Sequence, residues 1–183
     1  MLTTVERALT AFSNLMMVVA GVAITAMMLH IAGDILAKLV LNKPIIATLE
    51  IVTWYYMVAT VFLPLGYIQV HRKHLMVELF TMKMSKRSLA KLEGVVSIVG
   101  CIYVAILCWL TLGHAIEQTA NNEVQDATFF DLPVWPSRWM LPIPTAAMSL
   151  IFLTQGIRDL TYGFTGRGSP TTPPKSEMPV EEA

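Results

Sequence analysis

Leu63-Pro64-Leu65-Gly66-Tyr67-Ile68-Gln69-Val70-His71-Arg72-Lys73-His74-Leu75-Met76-Val77-Glu78-Leu79-Phe80 is the stretch that decides how this chain is organised. Its first eight residues carry one polar side chain, Gln69, and then four basic or titratable residues follow without a break. An apolar run that ends in such a cluster reads as a helix leaving a bilayer on the cytoplasmic side. Pro64 is expected to kink that helix, because its ring removes a backbone donor. Gly66 leaves room for a neighbouring helix to come close.

Composition agrees with a membrane setting. The chain has 183 residues, of which 55% are hydrophobic and only 14% charged, where soluble domains carry about a quarter. Working outward from Leu63, the apolar segment reaches back to Ile45, giving a span over 45–70 interrupted by Glu50 and Gln69. A span over 12–33 precedes it, 22 residues without Asp, Glu, Lys or Arg. At about 1.5 Å per residue this is long enough to cross the hydrocarbon core. It is too long for a signal-peptide core and no small-x-small cleavage site follows, so it reads as uncleaved. Two further spans fall at 95–116 and 139–157, the last with Pro142 and Pro144 in its first turn, where proline costs no hydrogen bond.

The fold class that follows is an all-α membrane protein of four transmembrane helices. Short interfacial helices are expected at the N-terminus, residues 1–11, and between spans two and three, over Leu75–Met84. Ser85 is placed to cap a helix that runs from Lys86 into the third span. Asp34–Pro44 reads as a polar turn. The membrane domain covers 12–161, and 162–183 reads as a disordered cytoplasmic tail, with four prolines between Gly166 and Ala183.

Charge sets the orientation. The second connection holds Arg72, Lys73, Lys83, Lys86, Arg87 and Lys91, while the third holds Arg138 against Glu117, Glu123, Asp126 and Asp131. With four spans the termini share the side of the second connection, so Lys and Arg divide 10 to 3 in its favour. The positive-inside rule places both termini in the cytoplasm and, in a bacterium, the acidic connection in the periplasm.

The search for chemistry finds little. Glu50 is the acidic residue inside the spans as drawn, and an intramembrane carboxylate is a functional hypothesis by default. It can bind a coupling ion, reach up to the headgroups, or pair with a partner helix. Trp54 shares its face, and with Tyr55 and Tyr56 it makes an interfacial belt or a partner surface. His71 and His74 flank Arg72, where a lipid phosphate, a partner carboxylate or plain anchoring suits them. His30 and His114 both fall near the outer ends of their helices, which admits bis-histidine haem ligation in a redox enzyme's anchor. Interfacial histidine is commonplace, and that pairing reads as accidental. A free-standing transporter working through Glu50 is a third reading. Cys101 and Cys108 lie seven residues apart on one helix, too far for a disulfide. No nucleophile elbow, phosphate loop, Cys-x-x-Cys or dinucleotide motif is present. Small residues recur instead at helix-packing intervals: Ser97, Cys101 and Ala105, then Thr145 and Ser149.

Three patterns in order carry a resemblance. Glu50 stands early in span two ahead of an aromatic cluster. Gly66-x5-Arg72-x-His74-Leu75-x-Val77-Glu78 marks the exit of that span. Pro133-x-Trp135-x6-Pro142 leads into span four. Together they make the chain, over about 12–161, similar to the small membrane (Q) subunit of tripartite ATP-independent periplasmic (TRAP) transporters. Glu78 stands where members often have Asp, and Pro144 where they often have Gly.

The resemblance implies a scaffold subunit, not an enzyme, that forms a stable complex with a large membrane subunit. A periplasmic binding protein would deliver an organic anion such as a dicarboxylate to that complex. Sodium coupling and transport chemistry would reside on the large subunit, so neither cofactor nor metal is expected on this chain. Its partners would be those two proteins and the lipid bilayer of the bacterial inner membrane, with no nucleic acid. Glu50, Trp54, Gly66, Arg72, His74, Trp135 and Pro142 are the residues expected at the partner interface.

Overall fold

A computed structural model describes residues 2–71, 84–127 and 130–166. Four helical stretches in it are long and apolar enough to cross a membrane: Thr4–Leu41, Thr48–Val70, Arg87–Ala120 and Trp135–Thr165. The all-α, four-span class therefore holds.

The first helix, α1, is Leu2–Leu41. The expected separate N-terminal helix is not separate: residues 2–11 are the opening turns of α1, with no glycine or proline to break them. The far end also differs from expectation. Asp34–Leu41 stays helical because Ile35, Leu36, Leu39 and Val40 continue the apolar run. Lys38 favours the C-terminal end of the helix dipole. The helix stops where Asn42 turns left-handed (φ 54°), two residues before Pro44, which disfavours helix at Lys43. Asp34 then accepts a hydrogen bond from the Ile45 backbone N–H at 2.6 Å, so its carboxylate ties the two spans together.

The second span is built in pieces: α2 (Thr48–Ile51), a π-helical stretch (Val52–Met57), α3 (Val58–Phe62) and α4 (Leu65–Val70). The break between α3 and α4 falls at Leu63–Pro64, where the proline lacks a backbone donor. After the second connection comes α5 (Lys86–Ala120), whose N-cap Ser85 accepts the Ser88 N–H at 3.3 Å. A two-stranded antiparallel hairpin follows, β1 (Val124–Ala127) with β2 (Phe130–Pro133). The acidic third connection thus carries strands that its sequence does not announce. A short α6 (Trp135–Arg138) leads to α7 (Pro142–Thr165), which runs well past the expected end of span four and across the expected domain edge at 161. No Pro or Gly with positive φ stops α7 until Gly166 (φ 69°). The interfacial helix expected over Leu75–Met84 and the tail beyond residue 166 lie outside the described residues.

Helix α7 is the centre of the molecule. It packs on α5 along most of its length, on α4, and on α1, which in turn lies against the second span. Contacts Ser13–Gly66 and Gly33–Ile45 show α1 and the second span running antiparallel. Gly94–Leu160, Gly100–Phe152 and Gly156–Ile98 show the same for α5 and α7. Ala20, Ala59 and Leu63, flanked by Met16, Ala23 and Met140, fill the space between α1 and the second span. Cysteines 101 and 108 are both free, and each thiol points across the α5–α7 seam to a carbonyl, Ser149 at 3.3 Å and Pro142 at 3.5 Å.

Candidate partner-binding surface

The aromatic cluster of the second span sits on its π-helical stretch, and that geometry spreads three consecutive rings. A π turn widens the helix and is common at functional sites. The Trp54 ring lies under the Arg138 guanidinium, 5.2 Å from centroid to Cζ. The Tyr55 hydroxyl donates to the Pro133 carbonyl at the base of the hairpin. Tyr56 meets His30 of α1 edge-on, 5.9 Å between centroids. One turn of helix thus braces α1, the hairpin and α6.

Arg138 holds the other side of this platform. Its Nε and Nη2 donate to the two oxygens of Glu123 at 2.9 and 2.6 Å. Those charge-assisted bonds hold the Glu123 carboxyl below the usual carboxylate range, with the nearby Arg138 charge adding to them against partial burial. Both side chains remain partly exposed, so the pair's worth is modest. The Glu123 carbonyl accepts from the Val134 and Trp135 N–H groups at 2.9 and 3.3 Å, closing the hairpin at its neck. Trp139 Nε1 donates to Thr119 at 3.0 Å, joining the end of α5 to the entry of α7.

The other expected interface residues fall in different settings. Glu50 is half-exposed in the first turn of α2, without a hydrogen bond or ion pair among the described residues. A carboxylate there is favoured by the helix dipole, which accounts for it without an ion. Trp135 is half-buried at the start of α6, and Pro142 is buried at the start of α7. Gly66 faces inward: a Cβ there would lie 2.8 Å from Ser13 Oγ, so its close neighbours are α1 and Ile151 of α7. Arg72 and His74 lie outside the described residues.

At the opposite end from the hairpin, polar groups are buried. Gln69 Nε2 donates to Gln155 Oε1 at 2.8 Å, and Gln155 Nε2 returns a bond to the Gln69 carbonyl at 3.2 Å. One turn further, Asp159 is fully buried at 0% exposure. The sequence reading missed Asp159 because it ended span four at Ile157. The signal was the spacing: Thr145, Met148, Ile151, Gln155 and Asp159 keep one face at intervals of three and four.

For the haem alternative, the arrangement offers no support. His30 is packed against Tyr56, whereas His114 is exposed on α5, and α1 and α5 do not share a major seam. Among the described residues no three His, Cys, Asp or Glu side chains gather as a metal site would require.

The fold is that of a multi-pass helical membrane protein whose long helices, α1 and α5, turn apolar side chains outward along their length. Its sequence matches, over residues 27–161, the family described as the DctQ component of tripartite ATP-independent periplasmic transporters. The match covers most of the chain, which belongs to that family: it is a small membrane component of a transporter and not an enzyme. No curated protein and no solved structure matches it.

Proposed function

We propose that this chain is the scaffold subunit of a sodium-driven importer of an organic anion, such as a dicarboxylate. A separate large subunit binds and moves the solute, and a periplasmic binding protein delivers it. Both termini are cytoplasmic and the hairpin faces the periplasm, as the 10-to-3 division of Lys and Arg supports. The observation that carries the scaffold reading is the family match, over a body that braces its own helices through the Gln69–Gln155 and Glu123–Arg138 pairs. A scaffold works by holding shape, as these pairs do.

The test is co-purification with transport. Glu50→Gln and Trp135→Ala, both at the hairpin end, are expected to lower the yield of large subunit retained on the tagged chain, with transport falling in proportion. Solute affinity of the binding protein stays unchanged. A variant complex that assembles fully yet shows altered sodium or solute dependence would place this chain in the transport site and overturn the scaffold reading.

A further inference from the structure

Helix α5 presents an unusual outward face. Its buried side, Ala90, Ser97, Val104 and Ala115 among others, is spent on the rest of the fold. On the opposite side stand Val99, Tyr103, Ile106, Trp109 and Leu110, all exposed, followed by Gly113, whose α-carbon has open space around it. Tyr103 is 70% exposed and Trp109 is 77% exposed. Neither makes a hydrogen bond among the described residues.

Depth makes this costly. Tyr103 is the central residue of the 35-residue helix Lys86–Ala120. The charged residues of α5 lie before Val95 and after Ile116, so the hydrocarbon core takes 95–116 and Tyr103 falls within about 4 Å of its midplane. Trp109 lies six residues further on, about 9 Å along the axis, still inside a hydrocarbon core about 30 Å thick. Tyrosine and tryptophan belong at the headgroups, where one end is apolar and the other is wet. At mid-depth lipid gives their O–H and N–H no acceptor, and an unmade hydrogen bond there is expensive. Protein must therefore cover this face.

The geometry points to the outward face of α5, centred on Tyr103, Ile106 and Trp109, as the seat of a transmembrane helix of the large subunit. That helix carries hydrogen-bond acceptors opposite the phenol and the indole. The inference rests on the scaffold reading above and adds which face does the holding. A second copy of this chain fits less well. All copies share one membrane topology, so a two-fold pair would lie parallel, bringing Trp109 against Trp109. The indole is a donor only, and two donors facing each other leave both unsatisfied. A different chain with a hydroxyl, amide or free carbonyl at that depth satisfies both groups. Gly113 lets its backbone approach closely.

The experiment uses the assembled transporter, with the tagged chain co-expressed with its large subunit. A photoreactive benzoyl-phenylalanine replaces Tyr103 or Trp109 in turn, with Leu29 on the exposed face of α1 as the control. Adducts to the large subunit are expected from positions 103 and 109 and not from 29. In parallel, Tyr103→Phe and Trp109→Phe are expected to reduce retained large subunit about threefold to tenfold each, the worth of one lost interhelical hydrogen bond in a bilayer. The helicity of the purified full-length variants should be unchanged, because neither polar atom bonds within the chain. Adducts to a second copy, or adducts from Leu29 alone while the complex still co-purifies, overturn the face and leave the scaffold reading intact. Failure of the unsubstituted chain to retain the large subunit removes both.

Discussion

At Arg138 one guanidinium meets a carboxylate from the neck of the hairpin and an aromatic face from the π-helical stretch. Replacing it with lysine keeps the charge but loses the two-pronged geometry and the stacking. Arg138→Lys is therefore expected to cost about 1 kcal/mol, consistent with a partly exposed pair, and to raise amide exchange at Val134 and Trp135. The same contact carries a pH signature. The folded carboxyl of Glu123 titrates below its unfolded range. Its contribution is thus fully present above the ordinary glutamate range and is lost as pH falls through the folded value. Exchange at the hairpin neck should rise only in acid well below neutrality, and Arg138→Gln should remove that dependence. A rise centred near neutral pH would assign the effect to another group. The carboxylate was legible in the sequence only as one of four acids in a loop. Its partner Arg138 was counted as a topological charge, since nothing in spacing says that residues 15 apart will close a hairpin.

Among the elements, the α5–α7 seam shows what packing demands. A Cβ at Gly94 would sit 2.7 Å from Leu160 Cγ and 3.0 Å from the Leu160 backbone nitrogen. The helix preference of alanine over glycine, about 1 kcal/mol, is opposed by overpacking of about 1–3 kcal/mol. Because a backbone atom cannot swing aside, Gly94→Ala is expected to lower the melting temperature in detergent. A rise would mean that the helices can separate there freely. The Gln69–Gln155 pair gives a complementary case. Gln155→Leu strands donor and acceptor capacity of Gln69 and should destabilise by about 1–3 kcal/mol. Adding Gln69→Leu should recover part of that loss, whereas simple additivity would show that the two amides act independently. Helix type, the Ser85 cap and the Pro64 break could be read from residues because each depends on its immediate neighbours. The π-helical stretch and the hairpin could not. A π turn follows from where Trp54, Tyr55 and Tyr56 must point in three dimensions, and four-residue strands leave too short an alternation to read. Helices α1 and α7 run past Gly33 and Ile157 because a charged residue need not end a helix: Asp34 stays in α1 with its carboxylate on the Ile45 N–H, and Asp159 lies on the inward face of α7.

For the molecule as a whole, length and charge bear on how it sits in the bilayer. Helix α1 has 40 residues and α5 has 35, about 60 and 52 Å at 1.5 Å per residue, against a hydrocarbon core of about 30 Å. Such helices tilt, extend beyond the core, or both. The four spans were legible because apolar runs of this length have few alternative explanations, whereas the side of each helix that turns inward was not, since buried and outward-facing residues of a membrane helix are equally apolar. Orientation is the remaining property, and the charge division argues it: Arg7, Arg87, Lys91 and Arg158 gather at one end, the hairpin with Asp126 and Asp131 at the other. Single cysteines at Glu123 and Ser88 report on it directly. The background replaces Cys101 and Cys108 with serine, whose hydroxyls can still donate to the carbonyls the thiols now meet. An impermeant maleimide on intact cells is expected to label position 123 and spare position 88, with both reacting once the membrane is opened. Labelling of 88 alone in intact cells would invert the protein, put the hairpin in the cytoplasm, and remove it from any contact with a periplasmic partner.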